Sequence, residues 1–392
     1  MSAGEDGLSG HALLDRQAEA GGTIVPFAGS AVVRHYGDAE AEYRAIRRAA
    51  GIVLRSELGL VRMSGRDPVR MLNGLITNDL SKAGPGRAVY GAMLTPKARI
   101  ITDLRAMVRS GEVLFDFPLA ALEALTTHLR KYVPPLFARW EVIAGASVIG
   151  VYGPRSADLL SGYAAESLGT DEDAVATLNV AGVEALAVAT GIAGGERGYD
   201  LLVAGPGGDA VWSALLDAGA GIGVAPAGFA ALETLRIEAG RPRFGQELTE
   251  ETLPPEAYET TGSMARAVSF TKGCYTGQEV VIRIAHRGHV NRSLRGLRLG
   301  GAPTPPERTP LFRVDDGKEI GWVTSAAHSP QEGETVALGY VRREMEVGAR
   351  VRVGGERGAE AEICELPFTR RGTGDQPKAA DGGSGGRPTG AP

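Results

Sequence analysis

The chain has 392 residues, enough for two or three domains with substantial cores, and its 43% hydrophobic and 23% charged content is that of an ordinary globular protein. A net charge of −5 removes the electrostatic case for wrapping a nucleic-acid backbone, and no apolar run approaches the ~20 residues needed to span a bilayer. Two cysteines exclude a disulfide framework and suit a reducing compartment; with no basic, apolar leader at residues 1–7, the expected location is cytoplasmic.

Residues 1–10 and 370–392 lack apolar periodicity and are expected to be disordered. Residues 38–50 have the spacing of an amphipathic helix ending at Gly51. A strand follows at 59–63, then a turn into a helix carrying Val69, Met71, Leu72 and Leu75. Residues 89–95, 100–108 and 113–117 read as successive antiparallel strands, and 119–132 as a helix halted by Pro134 and Pro135. Residues 142–152 read as one strand and 157–163 as a helix. Strands at 183–190 and 198–203 flank a glycine-rich turn, and helices cover 209–218 and 227–239. Strand runs broken by single helices predict an α+β region over 11–291 rather than a doubly wound sheet. From Arg292 the pattern changes to short strands between Gly/Pro turns, which predicts a C-terminal antiparallel β-barrel over 292–369. Cys364, in an alternating run, is expected to be core.

The most informative stretch is Lys272-Gly273-Cys274-Tyr275-Thr276-Gly277-Gln278-Glu279. Thr276 and Glu279 have capping-box spacing, and Val280, Val281 and Ile284 give the helix that follows an apolar stripe up to Gly288. Cys274 would then sit near the positive end of the helix dipole and beside the Lys272 ammonium. Both favour the thiolate, so a functional thiol titrating below the usual ~8.5 is expected. The competing reading is a small buried hydrophobe. His286 and His289 lack the further ligands a metal site needs, so no metal is predicted. A cluster held by cysteine alone would need about four thiolates.

The octapeptide resembles the signature of the YgfZ family, folate-binding proteins related to the T-protein (aminomethyltransferase) of the glycine cleavage system and associated with iron–sulfur protein assembly or repair. Residues 231–240, 243–248, 253–257, 320–325 and 337–341 resemble segments of the same families, so the resemblance runs from about Tyr43 to about Phe368. It implies T-protein-like folate-binding subdomains around a central opening, with the barrel C-terminal to them. It implies tetrahydrofolate or a derivative as cofactor, and iron–sulfur client or assembly proteins as partners, with no membrane and no direct nucleic-acid contact.

Site residues follow from the same resemblance. Asp103 aligns with an acid that works near N10 of the folate as proton carrier and electrostatic partner. Thr102 stands where the family has a first acid, and that departure, together with the cysteine motif, speaks against aminomethyl transfer. A solvated strand-end acid is the plain alternative for Asp103. Tyr90 aligns with a folate-pocket tyrosine, sheet packing being its alternative. Asp200, after the segment 194–199, aligns with the acid that meets the pterin, while Glu196 is expected to hold the turn. Arg236 and Glu238 lie on one helix two residues apart. Arg236 could meet an anionic folate tail or belong to a buried ion pair. Gly273 and Gln278 are placed at the cofactor, with Cys274 and Lys272 at the rim of its pocket as catalytic groups. The leading expectation is a folate-dependent accessory factor for iron–sulfur proteins. The alternatives are a tetrahydrofolate-dependent aminomethyltransferase or related one-carbon transferase, and a folate-binding module without catalysis.

Overall fold

The computed structural model describes residues 12–84, 86–191, 198–355 and 357–368. The ends expected to be disordered, and Glu196 with its turn, lie outside the described residues.

Two sheets form the body of the α+β region. One is five-stranded and antiparallel, in the order Ala88–Leu94, Ile100–Arg109, Glu112–Pro118, Leu58–Ser64, Arg139–Val142. The other is six-stranded, in the order Val175–Val180, Val183–Thr190, Gly198–Val203, Ser147–Tyr152, Ala50–Leu54, Val224–Pro226, and only its last pair is parallel. They pack face to face through Leu60, Met107 and Leu114 on one side and Val148, Leu186, Val188 and Leu202 on the other. Helices cover the outer faces. Leu122–Tyr132 lays Leu125 and Leu129 on the five-stranded sheet, and Gly208–Gly219 lays Val211, Trp212 and Leu215 on the six-stranded one. No doubly wound parallel sheet is present among the described residues.

The helix expected at 38–50 is Ala39–Arg48, started by Asp38, whose carboxylate accepts from the N–H groups of Glu40 and Ala41. It stops early because Ala50–Leu54 is a fully buried strand. The single strand expected at 142–152 is two. Arg139–Val142 pairs with Leu58–Ser64, whereas Ser147–Tyr152 pairs with Ala50–Leu54, so the chain changes sheets between them. It also changes sheets between Leu54 and Leu58, which leaves Arg55, Ser56 and Glu57 at the junction of the two sheets. The helix Ala12–Glu19, the hairpin of Thr23–Phe27 with Ser30–His35, and the strand Val175–Val180 were not foreseen.

From Arg292 a closed barrel runs in the order Arg292–Arg298, Glu334–Arg342, Glu319–Ser329, Pro310–Arg313, Arg350–Val353, Ala359–Cys364, around Leu297, Leu311, Val323, Val351 and Ile363. Cys364 is half-buried in it, and burial pushes its thiol up to about 12, which makes it inert core.

One carboxylate fastens the barrel to the α+β body. Glu238, at the end of the helix Phe229–Glu238, is fully buried. It accepts from the Tyr43 hydroxyl at 2.9 Å, from Arg47 Nη2 at 2.5 Å and from Ser329 Oγ at 2.5 Å. Its backbone carbonyl also accepts from Phe368 N. Removing one partner of a buried ion pair strands the other, so Glu238→Ala should cost about 3–5 kcal/mol. Urea unfolding checks this, and a midpoint within error of wild type would show the pair to be dispensable.

Candidate functional site

The turn 55–57, the facing ends of both sheets and the segment after Glu238 enclose two adjoining cavities of about 120 and 110 Å³. Arg55, Leu58, Asp103, Pro118 and Pro242 line both. Two larger hollows, of about 260 and 560 Å³, lie elsewhere. The small pair is marked out by chemistry. Among its lining residues Glu57 Oε2, Asp103 Oδ1, Glu172 Oε1 and Arg243 Nε are buried without a hydrogen-bond partner, whereas the 260 Å³ hollow has one such atom, on Asp209, and the 560 Å³ hollow has none.

Asp103 sits where the two cavities meet. It faces Ala92 across the strand pair, so Tyr90, which faces Arg105, falls on the same side of the sheet. The Tyr90 hydroxyl donates to Asp103 Oδ2 at 3.0 Å and lies 3.2 Å from the Tyr258 hydroxyl. Burial lifts the Asp103 carboxyl to about 6, with Tyr90 pulling it down and Asp116 adding to the rise. The Arg266 guanidinium lies 4.3 Å over the Tyr90 ring and is itself held by Asp173 at 2.7–2.8 Å. Thr102 is fully buried, alternates away from Asp103 along the strand, and donates to the Asp103 carbonyl at 2.9 Å. An acid at 102 would therefore not face the cleft.

Beneath Asp103 runs a row of alternating charges, Asp116, Arg105, Asp200, Arg55 and Glu57, each less than one-tenth exposed. Arg105 Nε donates to Asp116 Oδ2 at 3.0 Å, and Arg105 Nη2 lies 2.7 Å from Asp200 Oδ2. Arg55 Nη1 lies 3.4 Å from Asp200 Oδ1, and Arg55 Nε donates to Glu57 Oε1 at 2.5 Å. The Tyr152 hydroxyl also donates to Asp200. Burial opposes ionising Asp200, but Arg105 and Arg55 overcome it and hold the carboxyl below the ordinary aspartate range. Asp200 lines the first cavity, yet both its oxygens already accept bonds. Arg105, Asp116, Arg55 and Glu57 were missed in the sequence. For Arg105 and Asp116 the available signal was a charged residue inside an apolar strand, since charges are buried only with partners; Arg55 and Glu57, in the turn between two strands, gave none.

Arg236 lines the second cavity but has no N–H left for a ligand tail. Its five donors go to Glu233, Glu247, the Arg241 carbonyl, Gln246 and Ser325. The ion-pair reading of Arg236 holds. Glu238 faces the barrel joint. Arg243 packs between the rings of Phe27 and Phe229 at 4.6 and 4.7 Å.

The octapeptide contributes no lining residue to either cavity, which corrects the expected placing of Cys274, Lys272, Gly273 and Gln278 at the pocket. The capping box is also absent. The helix is Gln278–Arg287, its N-cap is Gly277 at φ 83°, and neither Thr276 nor Glu279 makes a cap bond. A Cβ at Gly277 would stand 2.7 Å from the Thr95 carbonyl oxygen, so only glycine lets the turn close on the 95–99 hairpin. Tyr275 is buried with Ala92, Leu94 and Tyr258, and burial raises its hydroxyl to about 12. Lys272 is 9% exposed, and its Nζ reaches Asn73 O at 2.5 Å, Asn78 O at 2.7 Å, Ile76 O at 2.9 Å and Asn73 Oδ1 at 3.1 Å. Burial pulls this ammonium down to about 8 while Asp79 supports the charge. The side chain is a clamp on 73–78 rather than a catalytic group. Gly273 and Cys274 are exposed, and Gln278 is half-buried. Among the described residues no group of side chains is arranged to hold a metal ion.

Residues 13–272 match the family model described as the GCVT N-terminal domain, and 292–369 that of the glycine cleavage T-protein C-terminal barrel domain. The chain is 32% identical to an aminomethyltransferase of Rubrobacter xylanophilus over 94% of its own length and 96% of that protein. It is 34% identical to one of Saccharopolyspora erythraea over 90% and 95%. The crystal structure of the glycine cleavage system aminomethyltransferase T from Bartonella henselae superposes with a TM-score of 0.79 at 23% identity, covering 91% of this chain and 97% of that one.

Lys272→Met would leave the carbonyls of Asn73, Ile76 and Asn78 without their donor, at about 1–3 kcal/mol. Equilibrium unfolding of the variant should show that loss. Undiminished stability would mean that the clamp does not hold the loop.

Proposed function

We propose a function from family and cleft together: the chain belongs to the glycine cleavage T-protein family, and it binds tetrahydrofolate between its two sheets and serves tetrahydrofolate-dependent one-carbon transfer of the aminomethyltransferase type. The residues suit that group. A reduced folate carries a flat heterocycle with N–H donors and a carbonyl acceptor. The cleft offers unpaired carboxylate oxygens on Asp103 and Glu57, an unpaired N–H on Arg243, and aromatic walls at Tyr90, Phe27 and Phe229. When bound, tetrahydrofolate supplies the nitrogens that carry the one-carbon unit.

The observation that carries the reading is Asp103. A buried carboxyl near 6, with one oxygen steadied by Tyr90 and the other free, is suited to take and return a proton close to neutral pH. Tyr90 orients it, and the charge row fixes the floor beneath it. Thr102 is buried and points away from the cleft, which supports a transfer role for Asp103 without an acid at 102.

The carboxylate form is the working one, so the rate of folate-dependent aminomethyl transfer with a lipoylated carrier should rise with pH through about 6. Asp103→Asn should lower the rate by roughly 10²–10⁴-fold and abolish that limb of the profile. A variant with wild-type rate and the same profile would remove Asp103 from the chemistry.

A second reading, a folate-binding accessory factor of the YgfZ type for iron–sulfur proteins, is favoured by one observation. Lys272, Tyr275 and Gly277 anchor the octapeptide, while Cys274 is exposed outside the cavity lining. On that reading, aconitase activity in cells lacking the protein should be restored by wild type and not by Cys274→Ala. Full restoration by the alanine variant, together with transfer activity in vitro, would leave the transferase reading alone.

A further inference from the structure

The resemblance in sequence points to Asp200 as the acid that reads the heterocycle, but Asp200 is 2% exposed and its oxygens are engaged by Tyr152, Arg55 and Arg105. Glu57 is placed differently. It is 5% exposed and lines the second cavity, its Oε1 accepts from Arg55 Nε, and its Oε2 is buried with no partner. Arg243 lines the same cavity, and its Nε is a buried donor with no acceptor. Unpaired buried ionic atoms are rare, and two of opposite sense on one small cavity call for a ligand that supplies both missing partners.

Charge and shape narrow the ligand. The lining sets three carboxylates, Glu57, Glu233 and Asp103, against three guanidinium groups, Arg55, Arg236 and Arg243, so the cavity has no surplus negative charge to hold a cation. Phe27, Phe229 and Phe244 give it aromatic walls. The matching occupant is a neutral, flat ring with an amide-type edge, an N–H beside a carbonyl.

We propose that Glu57, rather than Asp200, reads the N–H edge of that ring, which in a reduced folate is the 2-amino-4-oxo edge of the pterin. Arg243 Nε donates to the ring carbonyl. Asp200 is a positioning residue that holds Arg55 and Arg105, and Asp103, facing both cavities, stays free for the one-carbon nitrogens. This assignment rests on the folate reading above.

Glu57→Gln keeps an acceptor for Arg55 and turns the cavity-facing oxygen into an N–H donor that opposes the ligand's own N–H. In anaerobic titration calorimetry with the full chain, tetrahydrofolate and 6-methyltetrahydropterin should both bind at least tenfold more weakly to the variant. The p-aminobenzoyl-glutamate fragment, measured by competition, should bind with unchanged affinity. Glu57→Asp, which keeps the charge and shortens the reach, should show a smaller loss with the same selectivity, and it carries the test if the glutamine variant fails to fold. Unchanged pterin affinity, or an equal loss for both fragments, overturns the assignment and leaves the folate reading standing. Wild-type protein that binds neither tetrahydrofolate nor the pterin overturns the folate reading, and this assignment with it.

Discussion

The row Asp116–Arg105–Asp200–Arg55–Glu57 is the constraint on which the cleft depends. Charges removed from water are tolerated only when each finds a partner, and here the partners come from two different sheets. Arg105 belongs to the five-stranded sheet and Asp200 to the six-stranded one, so the sheets cannot slide by one residue without breaking the Arg105–Asp200 pair. The apolar contacts between the sheets supply attraction without direction; the ion row supplies register. It also sets the character of the floor. The row sets three carboxylates against two guanidinium groups and has no cation to spare for Asp103, so burial lifts the Asp103 carboxyl while Asp200, between two arginines, falls.

Three residues of the octapeptide serve as anchors rather than as cleft lining. Its lysine acts as a fixed cation inside a ring of oxygens from 73–78, its tyrosine enters the core, and its second glycine allows backbone contact with the 95–99 hairpin. The same segment reaches the cleft indirectly. Asn78, clamped by its carbonyl, donates through Nδ2 to the carbonyls of Tyr90 and Arg266. The anchors hold the turn that bears Cys274, and nothing in the structure gives a steric reason for glycine at 273.

Much of the architecture was legible because it depends on periodicity. Strands 100–109 and 112–118 and the helix 122–132 have apolar patterns that only one element type satisfies. The changes of sheet at 55–57 and 143–146 were not legible, because alternation shows that a segment is extended and not which neighbour it pairs with. Asp103 and Tyr90 could be placed in the cleft, since their two strands are joined by a short hairpin and their spacing puts them on one face. Arg236, Asp200 and Lys272 could not be assigned from sequence. Whether a charged side chain meets a ligand or a structural partner is decided by residues far off in the chain, such as Ser325, Arg105 and Asn73. Thr276 and Glu279 had the right spacing for a cap, but the close approach to Thr95 demanded a left-handed residue at the helix start, and Gly277 took the place.

The Lys272 clamp closes over a very long stretch of chain, since its ammonium bonds to atoms 194 to 199 residues earlier. Contacts of such separation form late, because the entropy of closing the loop is lost before any contact compensates for it. The turn that bears Cys274 therefore cannot take its final shape while the first sheet is still unformed. During synthesis the cysteine emerges on an unclamped segment, and it reaches its native setting only after the helix end and loop at 73–78 have taken their place. The geometry around the thiol is thus a late report on the folding of the remote N-terminal half.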